Sequence, residues 1–280
     1  MRLQDNSMSN VIHTLFSITV LLIAGCSAND SPEHGTNSES TVRGDADHRQ
    51  LIRDFTRLYV ESDENLPFTA RFLGMQTMQN PTDMWVIQEI ISDVQPDFII
   101  ETGTARGGSA LFYATVLNAV NPHGRVISID VDPRVEKGME QIASPELRNR
   151  VARTFETSIE VIQSNSIDPN LVEQLAKRTR DKQVLVILDS CHHSRHVIQE
   201  LELYSALVPT GSYIIVQDTI IDRSQKWIDL YAQCPGHESE AGPAKAVAEF
   251  LRTHHEEFEA DTSRERYLLT FCPGGFLRRK

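Results

Sequence analysis

Short unbroken runs of Val, Ile and Leu, each closing on an acid or an amide, recur through the middle of the chain. They are Asp97–Glu101, Arg125–Asp130, Ile159–Gln163, Val184–Asp189 and Ser212–Asp218. A strand covered on both faces has this pattern, because neither side alternates toward water. Between the runs lie stretches of helical spacing at Gly108–Asn118, Val135–Ile142, Pro169–Lys177 and His193–Ala206. Strand and helix in alternation predict right-handed βαβ units. The expected fold is α/β: a Rossmann-like, doubly wound, mostly parallel sheet with helices on both faces. Upstream, Leu51, Ile52, Phe55, Leu58 and Tyr59 give His48–Val60 a helical rhythm. A second helix begins near Pro81 and Asp83, carries Trp85, Val86, Ile90 and Ile91 on one stripe, and ends by Pro96. After the fifth run come a loop over Cys234–Pro243, a helix over Pro243–Thr253, and two closing segments, Tyr267–Phe271 and Gly275–Arg279.

The longest apolar run stands apart from this rhythm. Val11–Ala24 has the length of a signal-peptide core and is short for a membrane span. It leads into Leu22-Ile23-Ala24-Gly25-Cys26, which resembles a bacterial lipobox, with Cys26 as the lipidation site. Residues 27–47 are rich in Ser, Asn, Asp and Gly and read as a disordered tether. The expected organisation is a leader over 1–26, a tether over 27–47 and one domain over 48–280. The expected location is the membrane surface through Cys26, with the cytoplasm as the alternative if the leader is not used.

Composition narrows the partners. The chain has 280 residues and a net charge of −12, and a pI near 5.3. Nucleic acid is excluded as the main partner, since phosphate recognition needs clustered Lys and Arg. Broad electrostatic adhesion to anionic lipid is excluded for the same reason. Four cysteines with no CxxC pair argue against a disulfide framework or a zinc ribbon.

In an open parallel sheet, ligands bind beyond the carboxyl ends of the strands. Glu101, Asp130, Gln163, Asp189, Gln217 and Asp218 should therefore share one rim. The first turn, Glu101-Thr102-Gly103-Thr104-Ala105-Arg106-Gly107-Gly108-Ser109, offers two glycines for a tight bend and close backbone approach, followed by helix N–H groups. It is neither GxGxxG nor a P-loop. Asp130 has the chemistry to accept hydrogen bonds from both hydroxyls of a ribose, or to cap the next helix. Asp189 with Gln217 and Asp218 offers two carboxylates and an amide oxygen to a hard cation such as Mg²⁺. His192 is a candidate general base or substrate contact. His193 and His196 read as solvated helix residues.

At these residues the sequence resembles the cephalosporin hydroxylase and rhamnosyl O-methyltransferase family, within the class I S-adenosylmethionine-dependent methyltransferases. The resemblance runs from about Phe72 to Arg279. It is carried by Asn80-Pro81-Thr82-Asp83, Ile100–Thr104 with Gly107-Gly108-Ser109, Ser128-Ile129-Asp130, Leu188-Asp189-Ser190 with His192 and His196-Val197, Val216–Thr219, Gly242-Pro243 and Gly275–Arg279. It implies seven strands with the last antiparallel. It implies S-adenosylmethionine held by Glu101, Gly103, Ser109, Asp130 and the Ser164-Asn165-Ser166 turn, with Thr104, Gly107, Asp132 and Asp189 on the same rim. It implies a divalent cation at Asp189, Gln217 and Asp218, although Gln217 stands where the family usually has an acid. The reaction expected is O-methylation of a hydroxyl on a sugar, glycolipid or small polar acceptor, with Asp189 and His192 as catalytic residues: a cation on Asp189 and Asp218 orients the hydroxyl and lowers its pKa, His192 is the second choice as base, and the loop over Cys234–Gly242 is a lid. The alternatives are a non-catalytic ligand-binding lipoprotein, a hydroxylase with redox iron, and a nicotinamide-dependent oxidoreductase, the last disfavoured by the missing GxGxxG.

Overall fold

The computed structural model describes residues 48, 50–59, 69–223 and 242–280. The leader, Cys26, the tether and the lid loop up to residue 241 lie outside the described residues. Ala46–Lys280 forms one compact unit. No helix among the described residues is long and apolar enough to cross a membrane.

After a helix over residues 50–59 (α1) and a small hairpin of β1 (Arg71–Phe72) and β2 (Met75–Gln76), the main sheet is built from β3 (Phe98–Thr102), β4 (Arg125–Asp130), β5 (Ile159–Gln163), β6 (Val184–Leu188), β7 (Tyr213–Val216), β8 (Phe258–Ala260) and β9 (Phe276–Arg279). Their spatial order is β5-β4-β3-β6-β7-β9-β8. The first five pair in parallel, and β9 lies antiparallel to both β7 and β8. The chain winds outward from β3 to β5, then crosses back to continue from β6. The reversal point therefore falls between β3 and β6, where a crevice opens at the strand ends.

The helices are α2 (Pro81–Val94), α3 (Gly108–Val120), α4 (Val135–Glu140), α5 (Pro145–Ser158), α6 (Pro169–Arg178), α7 (Ser194–Tyr204) and α8 (Pro243–His254). Strand side chains alternate between two cores. Ile127, Ile129, Val184, Val186, Leu188, Ile214 and Val216 pack toward Leu171, Leu175, Val197, Leu201 and Phe250 of α6, α7 and α8. Val126, Leu185, Ile187, Tyr213 and Ile215 pack toward Ile87, Ile90, Ile91, Tyr113 and Leu117 of α2 and α3. Both faces are covered, which is why the sequence runs are apolar throughout rather than alternating. Three helices begin alike, with a side-chain cap followed by proline at the first helical position. Asn80 caps α2, Ser144 caps α5 and Asp168 caps α6.

Two elements depart from the expectation. Helix α5 was not foreseen, because its apolar stripe is thin: Leu147, Val151 and Phe155 stand among charged residues, and of these only Val151 is fully buried. The edge strand beside β9 is Phe258–Ala260, which the sequence pattern leaves unassigned, and the closing segment Tyr267–Phe271 forms no strand. That segment instead pins the start of α2, with the Leu269 carbonyl accepting from Thr82 Oγ1 at 2.6 Å and the Phe271 N–H donating to Asp83 at 2.7 Å.

Candidate active site

The crevice is shaped first by backbone. Gly103 ends β3 at φ +92°, and a Cβ there would lie 2.0 Å from the Asp189 carbonyl oxygen. Only glycine lets the first turn press against the end of β6 at this distance. The Asp189 N–H donates to the Thr102 carbonyl at 3.0 Å, so Asp189 is fixed beside the turn. One strand over, the Asp130 carboxylate accepts from Ala105 N and from Asp132 N, both at 2.8 Å. It ties the first turn to the second.

A cavity of about 500 Å³ fills the crevice, lined by Gly103, Ser109 and Asp130, by the Ser164-Asn165-Ser166 turn, and by Asp189, His192 and Asp218. A larger cavity of about 750 Å³ lies between α1 and Ile220, Arg223, Leu268 and Thr270, and contains none of the rim acids.

Four residues assigned to the cofactor do not line the crevice. Glu101 is 0% exposed and accepts from Ser109 Oγ and Ser128 Oγ, both at 2.5 Å. It acts behind the wall, by fixing Ser109, which does line the cavity. Burial pushes its carboxyl up to about 7, against the pull of the two serines. Thr104 is buried and bonded to Ser128 at 2.7 Å. Gly107 gives α3 a left-handed cap at φ +79°, and a Cβ there would meet the Phe155 ring at 2.9 Å. Its freedom serves packing rather than ligand approach. Asp132 points to solvent in a 2.6 Å pair with Arg134.

The cation site also differs from the expected set. Asp189, His192 and Asp218 each bring one ligand atom within 4.8 Å of the others. His192 Nε2 lies 3.4 Å from Asp218 Oδ2 and 4.0 Å from Asp189 Oδ1. Gln217 is not among them. It is 2% exposed and turns inward, where its Oε1 accepts from Cys272 Sγ at 2.9 Å. The strand period explains this, since adjacent residues at a strand end point to opposite sides. Asp218 reaches the crevice from a left-handed backbone at φ +58°.

The electrostatics of the three groups are those of a site short of positive charge. Burial, reinforced by the Asp218 carboxylate, pushes Asp189 well above the usual carboxylate range. Burial raises Asp218 to about 7. Burial also lowers His192 to about 4, so its ring is neutral near pH 7 and serves as a proton acceptor or a metal ligand. Two carboxylates and a neutral imidazole facing one point fit a divalent cation, which would favour the ionised acids. Gln79 Nε2 holds Asp189 Oδ2 at 2.6 Å, orienting the carboxylate from outside.

Neither His193 nor His196 projects from an open helix face. His193 is 5% exposed at the start of α7, and His196 is half-buried at the cavity wall, bonded to Ser166 and Ser190. The signal missed was the spacing of His196, Glu200 and Tyr204, which puts all three on one face of α7.

A family model described as rhamnosyl O-methyltransferase/CmcI matches residues 65–280. The chain belongs to that family. It is 28% identical over 224 residues to the rhamnosyl O-methyltransferase of Mycobacterium tuberculosis (strain H37Rv), covering 77% of this chain and 80% of that protein. It is 29% identical over 219 residues to the one from Mycobacterium leprae, covering 76% and 84%. Among solved structures, a CmcI form described as Mg-SAM aligns over 78% of each chain at 18% identity and a TM-score of 0.52. A CmcI apo-structure aligns over 76% of each at 18% identity and a TM-score of 0.51. Both structures share this fold.

Proposed function

We propose that this protein transfers a methyl group from S-adenosylmethionine to a hydroxyl of a sugar acceptor, assisted by a divalent cation. The observation that carries this reading is one cavity bordered by an adenosine-type rim (Asp130 with Ser164–Ser166) and by the Asp189, His192 and Asp218 cluster. The curated family members it resembles carry the name rhamnosyl O-methyltransferase, which makes a deoxy-sugar hydroxyl the acceptor of choice.

S-adenosylmethionine supplies, when bound, a methyl group activated by the sulfonium. A cation held by Asp189 and Asp218 would supply Lewis acidity that lowers the pKa of an acceptor hydroxyl, leaving the His192 ring free as a base. The chain's own residues do the rest. Asp130 accepts hydrogen bonds from ribose hydroxyls. The Ser164–Ser166 turn forms the adenine side. Gly103 and Ser109 let the cofactor approach the backbone closely. Asp189 and Asp218 orient the acceptor oxygen, and neutral His192 is placed to take its proton. Because Gln217 faces Cys272, its lack of charge removes no donor from the cluster.

A glycolipid acceptor and anchorage through lipid at Cys26 extend the same proposal. Their support is the Leu22–Cys26 motif alone, and equal lipid labelling of wild type and Cys26→Ala would remove the anchor. The central test is calorimetry. S-adenosylmethionine should bind wild type, Asp130→Ala should raise the Kd at least about tenfold, and Asp218→Asn should abolish Mg²⁺ binding while sparing the cofactor. Unchanged cofactor binding by Asp130→Ala would refute the adenosine assignment.

A further inference from the structure

Helix α7 packs beside the crevice and presents His196, Glu200 and Tyr204 at four-residue intervals on one face. All three reach the loops that wall the cavity. Tyr204 donates its hydroxyl to the Ser166 carbonyl at 2.9 Å. His196 Nε2 lies 3.0 Å from Ser166 Oγ and 3.2 Å from Ser190 Oγ. Ser190 Oγ donates to Glu200 Oε1 at 2.7 Å, and Glu200 Oε1 lies 3.5 Å from His196 Nε2.

Proton counting sets the tautomer that makes both serine contacts hydrogen bonds at once. A serine hydroxyl has one hydrogen, and that of Ser190 is committed to Glu200. The contact between His196 and Ser190 is then a hydrogen bond only if Nε2 carries the hydrogen. That same N–H faces Ser166 Oγ, so one donor bridges the loop after β5 and the loop after β6. Glu200 enforces the arrangement by accepting the Ser190 O–H hydrogen bond. It is 0% exposed, and its Oε2 has no hydrogen-bond partner. A carboxylate buried with one oxygen unpaired costs stability. A leucine would pack at this depth at lower cost, so what the acid contributes is position.

We infer that His196 is a positioning residue for the cofactor, backed by Glu200, which locks the Ser164–Ser166 turn against the Asp189–Ser190 strand end. The inference rests on the adenosine reading of this cavity. With the bridge intact, the two loops are held in register before the ligand arrives, and binding does not have to order them. Without it, each loop keeps its own backbone bonds but the wall between them loosens.

The experiment is titration of S-adenosylhomocysteine, and separately of adenosine, into wild type and variants. His196→Ala should weaken both by about tenfold or more. In steady state the KM for S-adenosylmethionine should rise far more than kcat falls. His196→Gln, which returns an N–H donor at similar reach, should recover most of the affinity. Glu200→Gln, which keeps the shape and one acceptor oxygen, should weaken binding by a smaller factor. Ser144→Ala, which removes the cap of distant α5, should lower the melting temperature and leave both affinities unchanged. Equal binding by wild type and His196→Ala, or no difference between the Ala and Gln variants, would overturn the bridge. If His196→Ala does not fold, Glu200→Gln carries the test, and wild-type affinity in that variant overturns the bridge equally. Failure of wild type itself to bind S-adenosylhomocysteine would instead overturn the cofactor reading.

Discussion

The buried carboxyl of Glu101 makes stability depend on pH with a sign opposite to that of most acids. In the native state its pKa stands at about 7, against 4.5 for the free group, because burial outweighs the two serine hydrogen bonds. Between these values the native protein holds a proton that the unfolded chain has released. Stability from this group is therefore complete below about pH 4.5 and is lost as pH rises through 7. At about 1.4 kcal/mol per unit, the change amounts to about 3 kcal/mol across that window. Glutamine at this position keeps an acceptor for Ser109 and Ser128 but does not titrate. Asp83 and Asp218, also raised to about 7, continue to give the variant a falling stability. The informative quantity is thus a difference. Urea unfolding of wild type and Glu101→Gln, with chelator present, should show wild type gaining about 3 kcal/mol relative to the variant from about pH 8 to about pH 4.5. A difference that stays constant across this range, or that grows the other way, would refute the assignment of a buried, high-pKa carboxyl. Cofactor affinity should change less, since Glu101 reaches the cavity only through Ser109.

Gly103→Ala should destabilise the protein by about 2–5 kcal/mol, combining a left-handed backbone with a collision against the Asp189 carbonyl. It should also abolish cofactor binding; an unchanged urea midpoint would count against the close approach of the two strand ends. Tyr113→Phe should raise stability by about 1 kcal/mol, because the buried hydroxyl has no hydrogen-bond partner. A drop in melting temperature would mean that the hydroxyl is satisfied.

The sheet was legible because burial on both faces leaves a local trace. Val184–Leu188 can be read as a central strand from its composition alone, and the acids that end the strands announce a rim. The same locality explains the errors. Helix α5 packs along one thin stripe and β8 is a three-residue edge, so neither imposes enough apolar pattern to be seen. At the site, residue type indicated the chemistry but not the direction of each side chain. Gln217 and Asp218 are neighbours in sequence, yet one faces Cys272 and the other His192. Glu101 and Asp130 both follow apolar runs, yet one is sealed behind Ser109 while the other borders the cavity. Which acid meets a ligand depends on pleat and turn geometry, and on contacts such as Gly103 against Asp189 that join positions far apart in the chain. The sequence by itself determined the layers, the sheet and the rim. Only the tertiary structure decided that His192 joins the two carboxylates, and that His196 braces two loops.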